Sequence, residues 1–196
     1  MIRFAIYGAG GFGREVKGMI DAVSSKKEIA FTGFIDDNKP ELPNLASGSY
    51  DDILFAMADP KIRQKVVAKM EAKKLTNTNL IDPNVSIHPS VKLGKGSIIC
   101  PGVKFTVDIQ VGDFVIINLN ATIGHDVVIG DFCSIMPSAN ISGNVRLGKG
   151  VLIGAGASVL QGLSIGANSI VGAGAIVTRS VPAGVTVMGV PARIKN

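Results

Sequence analysis

From Ile81 onward the chain carries a large apolar residue at every sixth position: Ile81, Ile87, Leu93, Ile99, Phe105, Val111, Ile117, Ile123, Ile129, Ile135, Ile141, Leu147, Ile153, Val159, Ile165, Val171 and Val177, 17 in succession. A short fixed period means that each unit buries its apolar side chain only against its neighbours. Four residues after each anchor comes a second position that is never charged and mostly small, as at Ala121, Cys133, Ala139, Ala157, Ser169 and Ala175. Two inward positions in six residues describe a short strand and a corner, so three hexads close one triangular coil of 18 residues. At a strand spacing of ~4.8 Å the 17 hexads stack into between five and six coils, a prism roughly 27 Å tall. Burying one anchor contributes about 1.5 to 3 kcal/mol before chain entropy is subtracted. Glycine follows the anchor in eight hexads, where it is expected to give the corner backbone freedom. Spacing does not fix the hand of the coil, and the general rule favours right-handed crossovers.

Residues 1–80 are built differently, with 22 of the 35 charged residues and only seven of the 24 glycines. The expected division is therefore 1–80 and 81–196. Ile2 to Tyr7 reads as a strand, Gly8 to Gly13 as a glycine turn, and Arg14 to Ser24 as a helix facing inward through Val16, Met19, Ile20 and Val23. Phe31 to Ile35 reads as a second strand and Ile53 to Ala58 as a third apolar stretch. Pro60 to Lys74 follows as a charged helix with Ile62, Val66, Val67 and Met70 inward. The alternation predicts an α/β unit with a parallel sheet, a Rossmann-like half-domain in front of a parallel β-helix. Gly8, Gly10 and Gly13 match GxGxxG between a strand and a helix, and Asp36 ends the second strand as a ribose-binding acid would. Alone, this suggests NAD, but about 75 residues supply only half a dinucleotide fold, so a mononucleotide sugar fits better; a purely structural turn is the alternative.

Composition excludes several classes. The net charge of +5 divides almost evenly, +2 before residue 81 and +3 after it, and the repeat half offers only Phe105, Phe114 and Phe132 as ring platforms, so nucleic-acid binding is not expected. Cys100 and Cys133 form no metal spacing, no signal segment opens the chain, and no charge-free apolar run approaches the ~18 residues of a span, so a cytoplasmic protein is expected.

His88 and His125 are the only histidines. Imidazole is the natural proton acceptor near neutral pH. His88, beside Pro89 in the first coil, reads as a solvated surface residue. His125, in Gly124-His125-Asp126, falls at a corner outside the core, and Asp126 is placed to orient its ring or raise its basicity. Gly143 lies 18 residues later, one coil above on the same edge, where a bare backbone N–H can serve as oxyanion donor; a glycine kept for corner geometry is the alternative. Cys133 should pack inward as a small apolar residue, whereas Cys100, following an anchor, should be more exposed. A β-helix carbonic anhydrase needs three histidines on zinc, and two are present.

The isoleucine-glycine hexads resemble those of the left-handed β-helix acyltransferases. The glycine turn Gly-Ala-Gly-Gly-Phe-Gly-Arg-Glu, the His125-Asp126 pair, Ile129-Gly130-Asp131-Phe132 and the final Gly189-Val190-Pro191-Ala192-Arg193 resemble the sugar O- and N-acetyltransferase family. The resemblance implies a left-handed coil and a homotrimer with active sites between subunits. It also implies acetyl-CoA as donor and a nucleotide-linked amino sugar as acceptor, a UDP-4-amino-4,6-dideoxy sugar by closest layout. Sialic-acid-type O-acetylation is the near alternative; an NAD-binding oxidoreductase and a non-enzymatic trimeric binding module are remoter ones. By resemblance His125 is the general base with Asp126 beside it. Gly8, Gly10, Gly11, Phe12, Gly13, Asp36, Asp37 and Asn118 are the expected substrate-binding residues. Ser134, Gly143, Ala155, Ala173 and Arg179 are the expected coenzyme A contacts, with Arg179, Arg193 and Lys195 near its phosphates; solvated charges on a capping tail are the alternative for these three. Some members carry a second histidine that contacts acetyl-CoA nine residues after the first, and here that place is Ser134.

Overall fold

The computed structural model describes residues 1–24, 28–40, 42, 49–70 and 75–195. The first unit holds strands β1 (Ile2–Tyr7), β2 (Ile29–Ile35) and β3 (Asp52–Phe55), all parallel in the order β2-β1-β3, with helices α1 (Gly11–Ser24) and α2 (Pro60–Met70). Alternation along β1 sends Phe4 and Ile6 toward Val16, Met19 and Ile20 of α1, and Ala5 and Tyr7 toward Phe55 and the Val67 and Met70 of α2. The expected extension of α2 over 71–74 lies outside the described residues. Its inward face is also corrected. Ile62 is 53% exposed, while Arg63, which carries charge and was not placed inward, is 1% exposed.

The column contains 16 two-residue strands, each ending on an anchor and each pairing in parallel with strands 18 residues away, as Ile123 does with Phe105 and Ile141. Three faces result. The first carries the strands ending at Ile81, Ile99, Ile117, Ile135, Ile153 and Val171; the second those ending at Phe105, Ile123, Ile141, Val159 and Val177; the third those ending at Leu93, Val111, Ile129, Leu147 and Ile165. Anchors and fourth positions fill one continuous core. Ile87 is the exception, for it is half-buried and in no strand. Pro83 and Pro89 flank it, and a proline has no amide to donate to a ladder.

The corners correct one expectation. The residues with left-handed backbone are not those after the anchor but those three places after it, in unbroken succession from Gly96 to Gly174, including Asn120, Asp126, Ser138 and Asn144. Asparagine and aspartate tolerate this region better than most side chains. Glycine after the anchor serves a different need, close stacking: a Cβ on Gly124 would lie 2.5 Å from the backbone nitrogen of Gly143, and one on Gly154 the same distance from that of Ala173.

The two units join along the first face. Its outward residues Leu80, Ile98 and Ile116 are buried with Phe4, Val16 and Ile20. The third face instead turns Lys92, Gln110 and Arg146 outward. Truncating a core anchor leaves a cavity in a column too regular to collapse. Ile135→Ala is expected to lower unfolding free energy by about 2–5 kcal/mol, and Lys92→Ala on the outer surface to stay within about 0.5 kcal/mol, both measured by denaturant titration.

Candidate active site

The corner between the second and third faces builds a ridge on which His125, Gly143 and Arg179 occupy equivalent positions, two residues after Ile123, Ile141 and Val177. The amide of Asn144 donates to the carbonyl of His125 at 2.7 Å and that of Gly162 to the carbonyl of Gly143 at 3.0 Å, which locks the stack. Arg179, exposed, stands three coils above His125, ~14 Å up the ridge at the strand spacing.

The His125 side chain is about half exposed, and its Nδ1 lies 2.8 Å from Oδ2 of Asp126. Asp126 has φ of 60°, the left-handed corner conformation, and its carboxylate sits beside the ring that precedes it. A carboxylate on Nδ1 favours the tautomer with its proton there and leaves Nε2 with a free lone pair. That nitrogen lies against Gly143, where any Cβ would run into Nε2 and Cε1 of the ring. Gly143 therefore lacks a side chain because the imidazole occupies the space; it is absent from the left-handed corner residues. Its carbonyl is paired, and its N–H makes no hydrogen bond among the described residues. A free base nitrogen and a free amide donor thus meet on one ridge.

The other expected site residues fall elsewhere. Asn118, Ala155 and Ala173 belong to the next ridge, between the first and second faces. Ala155 and Ala173 are exposed and leave its upper part bare, whereas Asn118 is 4% exposed and its Oδ1 accepts the amide of Leu119 at 2.7 Å. Ser134 has no exposed surface: its hydroxyl donates to the carbonyl of Ala58 at 2.6 Å and accepts from Arg63 at 3.0 Å, at the junction of the two units. Cys100 is not exposed as expected but 1% so, covered by α1, and Cys133 is fully buried. Burial pushes both thiols up to about 12.

At the glycine turn, Gly8 has φ of 105°, and Gly13 sits where a Cβ would strike the carbonyl of Gly8, so the pair lets α1 start hard against β1. Gly10 and Gly11 are exposed and face open space. Phe12 packs onto the α1 core. Asp36 is drawn to the turn: one carboxylate oxygen accepts the amide of Ala9 and the other that of Asn38, both at 3.0 Å. Asp37 pairs with Lys69 at 2.8 Å, and the ammonium holds its carboxyl below the usual range. Lys39, which no sequence spacing singled out, donates to the carbonyl of Ala9 at 2.9 Å and puts a positive charge beside the turn. Among the described residues, no three His, Cys, Asp or Glu side chains group as metal ligands, and no helix is long and apolar enough to cross a membrane.

Comparison with known proteins gives this arrangement relatives. The family described as PglD N-terminal domain matches residues 3–70, and the bacterial transferase hexapeptide family matches residues 144–179. No curated protein sequence matches. Among solved structures, WeeI from Acinetobacter baumannii is 34% identical, with a TM-score of 0.87 and all of both chains covered. PerB from Caulobacter crescentus, in complex with CoA and GDP-perosamine, is 32% identical with a TM-score of 0.88, covering 98% of this chain and 97% of that one. The acetyltransferase domain of PglB from Neisseria gonorrhoeae, in complex with acetyl coenzyme A, is 30% identical with a TM-score of 0.86, covering 98% of each chain. With identity and coverage at these levels, the chain belongs to the left-handed β-helix sugar acetyltransferase family.

Proposed function

We propose that the protein transfers acetyl from acetyl-CoA to the amine of a nucleotide-linked amino sugar, directly and without an acyl-enzyme. The observation that carries the reading is the free Nε2 of His125 lying against Gly143 while Asp126 holds Nδ1. The amine nitrogen, unprotonated, attacks the thioester carbonyl; His125 takes the proton that the new bond releases, the Gly143 N–H supports the oxyanion, and the thiolate of coenzyme A leaves and is protonated. Arg179 stands up the same ridge, where a donor lying along it would carry its phosphates. The unit formed by residues 1–80 holds the nucleotide, with Gly10 to Gly13 and Lys39 near the diphosphate and Asp36 near the ribose or base. The relatives crystallised with CoA and GDP-perosamine or with acetyl-CoA support both halves of this reading. Ser134, sealed in the interior, takes no part in binding the donor.

The assembly proposed is a cytoplasmic homotrimer. His125 stands on one ridge and the bare Ala155–Ala173 edge on another, so a groove lined by both needs a second copy. Light scattering is expected to give a mass three times the 20.3 kDa of one chain.

The decisive assay incubates the protein with acetyl-CoA and UDP-, dTDP- or GDP-linked amino sugars and follows thiol release. Release is expected with one of them, UDP-4-amino-4,6-dideoxy sugars first; none with any amino sugar, but turnover of a hydroxyl acceptor, would make it an O-acetyltransferase. His125→Ala is expected to lower kcat about 10²–10⁴-fold, and unchanged turnover would remove the imidazole from the mechanism. Gly143→Ala should displace the ring and lower kcat about 10²–10³-fold while the melting temperature stays within a few degrees of the wild type. The thiols, buried and pushed up to about 12, should resist iodoacetamide at neutral pH with activity intact, and react only after unfolding in urea. Loss of activity on alkylation of the folded protein would instead favour a covalent route.

A further inference from the structure

Two phenylalanines break the corner pattern of the column. At Phe114 and Phe132 the left-handed corner position, occupied elsewhere on the same ridge by Gly96, Gly150 and Asn168, carries an aromatic ring, with φ of 54° and 58°. Bulky side chains are unusual in this region, and the neighbourhood must supply what holds them there. The rings stack on each other with centroids 5.2 Å apart, and Phe114 meets Phe55 of β3 edge-on at 5.9 Å. Their carbonyls point to one side chain. Arg63 of α2 donates from Nε to the carbonyl of Phe114 at 2.9 Å and from Nη2 to that of Phe132 at 2.7 Å, to that of Cys133 at 3.0 Å and to the Ser134 hydroxyl at 3.0 Å. Its Nη1 donates to the carbonyls of Met57 at 2.5 Å and Ala58 at 3.5 Å. No ion pair among the described residues involves it. This buried guanidinium, without a carboxylate, is held by backbone carbonyls and one hydroxyl, so its binding depends on where those groups stand.

The carbonyls belong to two coils and to the loop after β3. That loop also borders the glycine turn, since a Cβ on Gly8 would come 2.8 Å from the carbonyl of Ala56 and the amide of Ala56 donates to the carbonyl of Tyr7 at 2.9 Å. Phe132 follows His125 by one side of the triangle in the same coil. We propose that Arg63 is a positioning residue that fixes the height at which the nucleotide-binding unit sits on the column, and hence where the sugar amine is delivered relative to His125. The proposal rests on the acetyltransferase reading above. A slip of one coil would move that unit by ~4.8 Å, whereas reacting atoms must come within about 3–3.5 Å and a shift of about 1 Å already lowers the rate strongly.

The test compares Arg63→Lys, which keeps the charge but cannot span both coils, with Ser134→Ala, which removes the hydroxyl that bonds both Ala58 and Arg63. Steady-state kinetics should show the KM for the nucleotide amino sugar rising about tenfold in Arg63→Lys and about threefold in Ser134→Ala, with the KM for acetyl-CoA within about twofold of wild type. Hydrogen exchange of the same proteins should quicken in residues 56–59 and 8–13 and remain unchanged in the column from Ile141 to Val177. If Arg63→Lys does not fold, Ser134→Ala decides alone. A rise in both KM values, a rise in that for acetyl-CoA alone, or exchange unaltered at residues 56–59 would overturn the proposal. Should the wild type transfer no acetyl group, the activity reading fails, while the exchange arm still decides whether Arg63 couples the junction to the glycine turn.

Discussion

Each corner residue of the column stacks on the one eighteen positions earlier, at the distance that a backbone hydrogen bond between coils allows. That register governs which atoms meet. It leaves no room for a side chain on Gly124 or Gly154, whose missing Cβ atoms would fall against the backbone of the coil above. It also brings the imidazole of His125 over the alpha carbon of Gly143 and leaves the amide of Gly143 without a partner, because the carbonyls and amides around it are taken up by the ladder. The site is thus a local interruption in a repeating scaffold: one polar ring lies where a neighbouring residue gives way, and rigidity on both sides keeps it there.

Much of this was readable because the period is fixed. Counting by six identifies the core, and counting by eighteen places His125 under Gly143. The count fails where two differently built surfaces meet. Cys100 follows an anchor and by the pattern faces out, yet α1 covers it; Ser134 sits where some relatives by resemblance use a histidine, yet Arg63 and Ala58 enclose it. In α2 the apolar Ile62 is expected inward, and the structure exposes it and buries its neighbour Arg63 instead, while Val67 and Met70 face inward as expected. Hydrophobicity could not signal this, because what binds Arg63 is a set of carbonyl groups. Main-chain acceptors leave no mark in side-chain composition, and the two corner phenylalanines that position them look like ordinary apolar residues in a sequence.

The role of glycine after the anchors was misread for a related reason. Backbone freedom is needed three residues past the anchors from Leu93 to Val171, and there asparagine, aspartate and serine are used alongside glycine. What glycine alone meets is contact between successive coils, a tertiary requirement that repeats with the coil and so resembles a local one. Gly143 belongs to neither class, since its neighbour is a side chain.

The arrangement within one chain also bears on assembly. Helix α1 borders the corner formed by Asp82, Cys100, Pro101 and Leu119, and so places the N-terminal unit beside the ridge of Asn118, Ala155 and Ala173. His125 and Arg179 stand on the ridge across the second face. The first unit and the imidazole on the far ridge are separated by a face of the prism whose outward residues include the polar Lys104, Thr122 and Asn140. Threefold packing of such prisms would set the first ridge of one copy against the His125 ridge of the next, and bring together groups that the single chain keeps apart. In such a packing the height of the N-terminal unit on its own column would set its level against the His125 ridge of the neighbour. Under the positioning role proposed for it, Arg63, which binds the Phe132 carbonyl at the level of the His125 coil, would fix that level with one side chain.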